Sequence, residues 1–157
     1  MFLNVTNLER IDLMKIKTIQ LTIALAGIFS TLSFAEVNPS LPPVKSQGQT
    51  QFISGGIGKD ESEAISQARN SWSLMLALTQ AASPRAEYIS DAHITIKDEL
   101  GNTVLDTTAE GPYLLVSLSP GKYSLDATYK SITLHRNLSL GKELGKKITL
   151  IWPVAKN

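Results

Sequence analysis

The chain has 157 residues, 15 basic and 14 acidic side chains, a formal charge of +1 and 43% apolar residues. Near-neutrality excludes a nucleic-acid-binding polycation or an acidic tail, and the apolar share is enough for one domain with a buried core. With no cysteine, a disulfide framework, a thiolate metal site and a cysteine nucleophile are excluded as well.

Lys15 and Lys17 precede an uncharged stretch from Thr18 to Ala35, apolar from Ile19 to Leu32 and ending Ser33-Phe34-Ala35. A positive flank, an apolar segment and small residues two apart are the three parts of a secretory signal peptide, here 14–35, with cleavage expected between Ala35 and Glu36. Glu9 and Asp12 fit poorly in a positive flank, so Met14 is the expected start and residues 1–13 read as an extension of the gene model. The expected protein is periplasmic or secreted, with no stable membrane anchor after cleavage and no charge reason to bind nucleic acid.

Residues 36–51 are rich in Pro, Ser, Gln, Gly and Lys and show no period, so they read as a disordered arm, with order beginning near Phe52. Residues 52–83 read as a helix plus strand element. Ser54-Gly55-Gly56-Ile57-Gly58 permits positive φ, Asp60 and Glu63 have a spacing able to cap a helix start, and Ala64, Ile65, Ala68 and Trp72 predict an amphipathic helix over about 60–71. In the next segment Leu74, Leu76 and Leu78 alternate with Met75, Ala77 and Thr79. A continued helix explains it almost as well as a strand, and the strand is preferred narrowly.

Residues 84–157 are written as short alternating runs between turns. Ala92, Ile94 and Ile96 share a face opposite His93, Thr95 and Lys97, and a turn over Asp98–Asn102 leads to Val104 and Leu105. Tyr113 to Leu118 is apolar on both faces and suits a central strand. Pro120 and Gly121 predict a type II turn with Gly121 at positive φ. Tyr123, Leu125, Ala127 and Tyr129 form one face of a strand, Ile132, Leu134, Leu138 and Leu140 mark another, and Ile148, Leu150 and Trp152 mark the last. The fold class is mainly β: an antiparallel prealbumin- or Ig-like β-sandwich with one short N-terminal helix.

Asp91-Ala92-His93-Ile94-Thr95-Ile96, the turn glycine Gly101, Gly111-Pro112-Tyr113-Leu114-Leu115 and Leu118-Ser119-Pro120-Gly121-Lys122-Tyr123 resemble the carboxypeptidase regulatory-like domain, a prealbumin-like β-sandwich. The likeness spans roughly 91–152, and upstream of it Ser54-Gly55-Gly56-Ile57-Gly58 with the acidic helix is similar to small exported bacterial proteins of this class, of unassigned activity. It implies a non-catalytic module that stabilises, displays or binds. The prealbumin-like group also holds an enzyme branch that opens hydroxyisourate and carries a tyrosine-rich C-terminal motif. Pro153-Val154-Ala155-Lys156-Asn157 departs from that motif, so the branch is not expected here.

Few residues suggest chemistry. His93, His135 and Asp126 share the polar parity of their strands and would make a zinc ligand set only if those strands converged; otherwise they are surface residues. Arg136 stands on the apolar parity between Leu134 and Leu138. It must reach water or a carboxylate such as Asp106 or Glu110, through a β-bulge or an edge position, or else hold an anionic ligand. Trp72 and Trp152 read as core, while Tyr88 and Tyr113 flank loops and are the better candidates for stacking on sugar rings. The ligand-binding candidates are therefore Tyr88, Tyr113 and Arg136. No catalytic, metal or cofactor-binding residue is nominated and no cofactor is expected. Three functions follow: a non-enzymatic module for protein interaction or structural support in the cell envelope, with an envelope protein or polysaccharide as partner; a carbohydrate-binding module; or a small metal-dependent hydrolase.

Overall fold

The computed structural model describes residues 41–154. The expected leader, its cut at Ala35 and Glu36, residues 1–13 and the first part of the arm lie outside the described residues.

In chain order the elements are β1 (Lys45–Gln47), β2 (Thr50–Gly55), helix α1 (Lys59–Ala68) with a 3-10 turn (Arg69–Ser71), β3 (Leu74–Gln80), β4 (Glu87–Tyr88), β5 (His93–Asp98), β6 (Thr103–Thr108), β7 (Tyr113–Ser117), β8 (Gly121–Tyr129), β9 (Ile132–Leu140) and β10 (Lys146–Trp152). One sheet runs β1-β2-β7-β3-β10, with β4 pairing the part of β3 that β7 leaves free. The other runs β6-β5-β8-β9. All pairings are antiparallel except β3 with β10, which is parallel from Leu74↔Lys146 to Gln80↔Trp152. The chain is thus a mainly-β sandwich of two mostly antiparallel sheets with one short helix.

Alternation explains the interface between the sheets. Leu74, Leu76 and Leu78 of β3, Leu114 and Val116 of β7 and Leu150 and Trp152 of β10 point inward, and meet Ile94, Ile96, Leu105, Leu125 and Ala127 from the second sheet. Full burial of each large side chain stabilises by roughly 1.5–3 kcal/mol. The other face of the first sheet is also covered. Ile53, Met75, Ala77, Tyr113 and Leu115 form a second core with Ile65 of α1, flanked by Ala68 and Trp72. β3 is therefore buried on both faces, which is why its period was ambiguous, and the strand is what forms.

The structure corrects several local expectations. Part of the arm expected over 36–51 is ordered, because β1 makes a hairpin with β2 through Gly48 at φ 57, and Gln47 and Lys45 are tied to the rest of the fold. The helix start uses neither Asp60 nor Glu63 as a cap. Its N-cap is Gly58 at φ 90, with no side-chain bond, and the Glu61 carboxylate accepts from the Gly56 N–H instead. Glu63 lies 3.9 Å from Lys59. Gly121 does not take positive φ; it begins β8, opposite Leu140. The Pro120 corner is held by the Tyr123 hydroxyl, which donates to the Ser119 carbonyl at 2.8 Å, a tyrosine-to-upstream-backbone bond of the kind that fixes corners in other sandwiches.

Candidate functional site

Strand register brings Tyr88 and Tyr113 together. Tyr113 lies opposite Ala77 and Tyr88 opposite Thr79, so the rings occupy consecutive same-face positions beside β3. Their centroids are 5.4 Å apart with an interplanar angle of 63°, an edge-to-face pair. Gly56, at φ 98, lies against the Tyr113 ring so closely that a Cβ there would fall 2.4 Å from its Cδ2. That requirement gives the glycine run a packing reason beyond its lead-in to the helix. The two rings, with Ile57, Lys59, Ser62 and Pro112, line a cleft of about 490 Å³. Tyr88 is 60% exposed, whereas Tyr113 is 9% exposed and belongs to the second core. Burial, then the hydrogen bond and charge of Tyr88, push the Tyr113 phenol up to about 12. Trp152 is fully buried and Trp72 is half-buried, so the four aromatic candidates do not form one exposed row.

Arg136 is not part of this cleft. It sits on β9, an edge of the second sheet, opposite Leu125 in a register with no bulge. Its guanidinium is exposed and donates to the His135 carbonyl at 2.8 Å. The carboxylates expected as partners are engaged elsewhere: Asp106 lies 3.1 Å from His93, and Glu110 pairs with Lys45. The edge position answers the parity conflict, because there the exposed side chain keeps its charge in water.

His93, Asp126 and His135 all lie on the outer face of the second sheet but separate into two pairs. His135 lies directly across from Asp126, Nδ1 to Oδ1 at 2.6 Å, while His93 turns the other way to Asp106. Both pairs are exposed, where such contacts contribute little. Among the described residues no group of three or more His, Asp or Glu side chains is gathered closely enough to hold a metal ion.

A larger cleft of about 570 Å³ opens beside the β5–β6 turn, lined by Asp98, Glu99, Lys122, Tyr123 and Asn137. Its charges are already used. Asp98 accepts from the Leu100 and Asn102 N–H groups and from Asn102 Nδ2, and Lys122 lies 3.5 Å from Glu99. The side-chain bond from Asn102, with the turn amides, holds the Asp98 carboxyl below its ordinary 3.8. Burial, and the Asp98 charge after it, raise the Tyr123 phenol.

The sheet edges differ in how they are closed, a feature the sequence could not display because it depends on which strands lie outermost. β1 has only three residues. On β6 the Asp106 N–H donates to Gln47 Oε1 at 2.8 Å. On the outer side of β9 the carbonyls of His135 and Ser139 accept from Arg136 and Lys146. β10 is open. The Ala81 N–H donates to the Trp152 carbonyl at 2.8 Å, which fixes Trp152 with its backbone toward β3. Because backbone groups alternate sides along a strand, Ile148 and Leu150 face β3 too, and the N–H and C=O of Lys147, Thr149 and Ile151 face outward. Among the described residues no strand pairs with that side. The side chains of Lys147, Thr149 and Ile151 are exposed.

No protein-family model matches the chain, and a search of curated proteins finds no match either.

Proposed function

We propose that the chain is an exported, non-enzymatic β-sandwich module that works by binding a protein partner, or by supporting a larger structure, in the cell envelope. The observation that carries this reading is the open seven-residue edge of β10, since an unpaired strand binds an extended segment through its backbone groups. The leader pattern at 14–35 supports export. The two-sheet arrangement and the Ser119–Tyr123 corner are compatible with a carboxypeptidase regulatory-like, prealbumin-like domain. Two measurements test the reading: osmotic-shock fractionation, and size-exclusion chromatography of the gently solubilised native envelope. The chain is expected in the shock fluid or envelope and in a complex larger than the processed chain alone. A cytoplasmic chain, or one eluting alone from native extract, contradicts it.

A second reading is favoured by the Tyr88 ring, which is exposed at the mouth of a cleft with Lys59 and Ser62 at its rim. The face of an aromatic ring with nearby polar groups suits a sugar ring, so retention on cell-wall polysaccharide is expected to fall in Tyr88→Ala. Unchanged retention removes this reading. The burial of Tyr113 and Trp152 places it second.

A further inference from the structure

We infer that β10 is the docking edge and that its occupant is an extended segment of another protein, carrying a carboxylate opposite Lys147 and an apolar side chain opposite Ile151. The inference rests on the interaction reading above and deepens it by naming the edge and the chemistry of the partner. Of the four outermost strands, β1 is short and β6 and β9 have outward backbone groups already occupied by Gln47, Arg136 and Lys146. β9 is longer and also has exposed side chains along its outer side, but two of its outward carbonyls are taken. On β10, among the described residues, the outward N–H and C=O groups of Lys147, Thr149 and Ile151 have no partner and all three side chains are exposed.

The chemistry of the occupant follows from cross-strand pairing. Residues directly opposite in neighbouring strands share a face with Cβ atoms about 4.5–5.5 Å apart, so the side chains of β10 specify what suits the added strand. Lys147 is exposed near the start of β10, and among the described residues it has no carboxylate within ion-pair distance. At the other end Ile151 is 52% exposed and Val154 61% exposed. Lys147 and Ile151 lie on the same face with Thr149 between them. A matching strand therefore carries an acid and an apolar residue four positions apart, with a β-branched residue midway. A second copy fits less well. Antiparallel pairing about Thr149 would set each Lys147 against the other copy's Ile151 and leave both ammonium groups without a carboxylate.

The test uses the chain purified in its native processed form and two fluorescein-labelled probes, Glu-Val-Thr-Val-Val and its reverse, each flanked by serines, with lysine replacing glutamate in the controls. One acidic probe is expected to bind saturably, at least tenfold tighter than its lysine control, and to perturb the amide resonances of Lys147, Thr149 and Ile151. Thr149→Pro removes an outward donor without touching a β3 ladder bond and is expected to weaken binding at least tenfold. Lys147→Glu, an exposed change that leaves the core intact, is expected to reverse the preference toward the lysine probe. The proposal is overturned by absence of saturable binding, by equal binding of acidic and lysine probes, or by self-association through β10 in sedimentation. Perturbation centred on β6 or β9 also overturns it, but leaves the interaction reading standing with another edge, whereas a chain without a partner in native extract removes that reading itself.

Discussion

Ser73 is 5% exposed, yet its hydroxyl is fully used: it donates to the Val116 carbonyl at 3.0 Å and accepts from the Leu118 N–H at 2.6 Å. Ser73→Ala leaves that N–H unpaired where water reaches poorly, and is expected to lower stability by about 1–3 kcal/mol in urea unfolding. Tyr113 links burial to pH. Its folded phenol is held near 12 against an ordinary 10.0, so folding favours the neutral form. The corresponding stability is fully present below about pH 10 and is lost as pH rises from there toward 12. Urea midpoints measured across that range are expected to fall less steeply in Tyr113→Phe than in the parent chain. Asp98 works in the opposite direction: its depressed carboxyl contributes stability above its ordinary value of 3.8, lost on acidification through the folded value. Of the candidate residues, Tyr88 and Tyr113 were legible as loop-flanking rings, but their pairing was not, because it depends on the β4 and β7 registers against β3. Arg136 was legible as an anomaly, and only its outermost position supplies the reason.

Element boundaries were most legible where one face meets the core and the other meets water. β8 is the clearest case, since Leu125 and Ala127 are buried between exposed or half-buried neighbours. The β8–β9 connection was not legible. Tyr129 and Ile132 pair across a two-residue turn in which Lys130 has φ 46 and Ser131 has φ 66. Such turns favour Asn and Gly, so Lys-Ser gives no turn signal. An L-residue in the left-handed region costs about 1–2 kcal/mol, partly offset in glycine by its greater unfolded freedom. Ser131→Gly is therefore expected to stabilise the chain by about 0.5–1 kcal/mol in thermal or urea unfolding; a loss of stability would contradict this account of the turn. Helix α1 was readable from Ala64, Ile65 and Ala68, while its destination was not. The clue lay in Met75, Ala77, Tyr113 and Leu115, whose strands are apolar on the face away from the sandwich and so need a cover.

At the scale of the whole described region, the sandwich class was legible because alternation and turn chemistry are local, whereas sheet order was not. β3 precedes the whole of the second sheet in sequence yet lies between β7 and β10 in the first. Its parallel pairing with β10 joins residues about 70 positions apart and could not be read from either segment alone. That same pairing makes the outer side of β10 a sheet edge, so the proposed function depends on a long-range fact. The central claim is that this edge is unoccupied in the free chain, and native-state amide hydrogen exchange tests it most directly. Along Lys146–Trp152 the amides of Ile148, Leu150 and Trp152 are expected to be protected, while those of Lys147, Thr149 and Ile151 exchange at rates close to loop amides. Slow exchange at all six would mean that the edge is already closed, and would contradict the account.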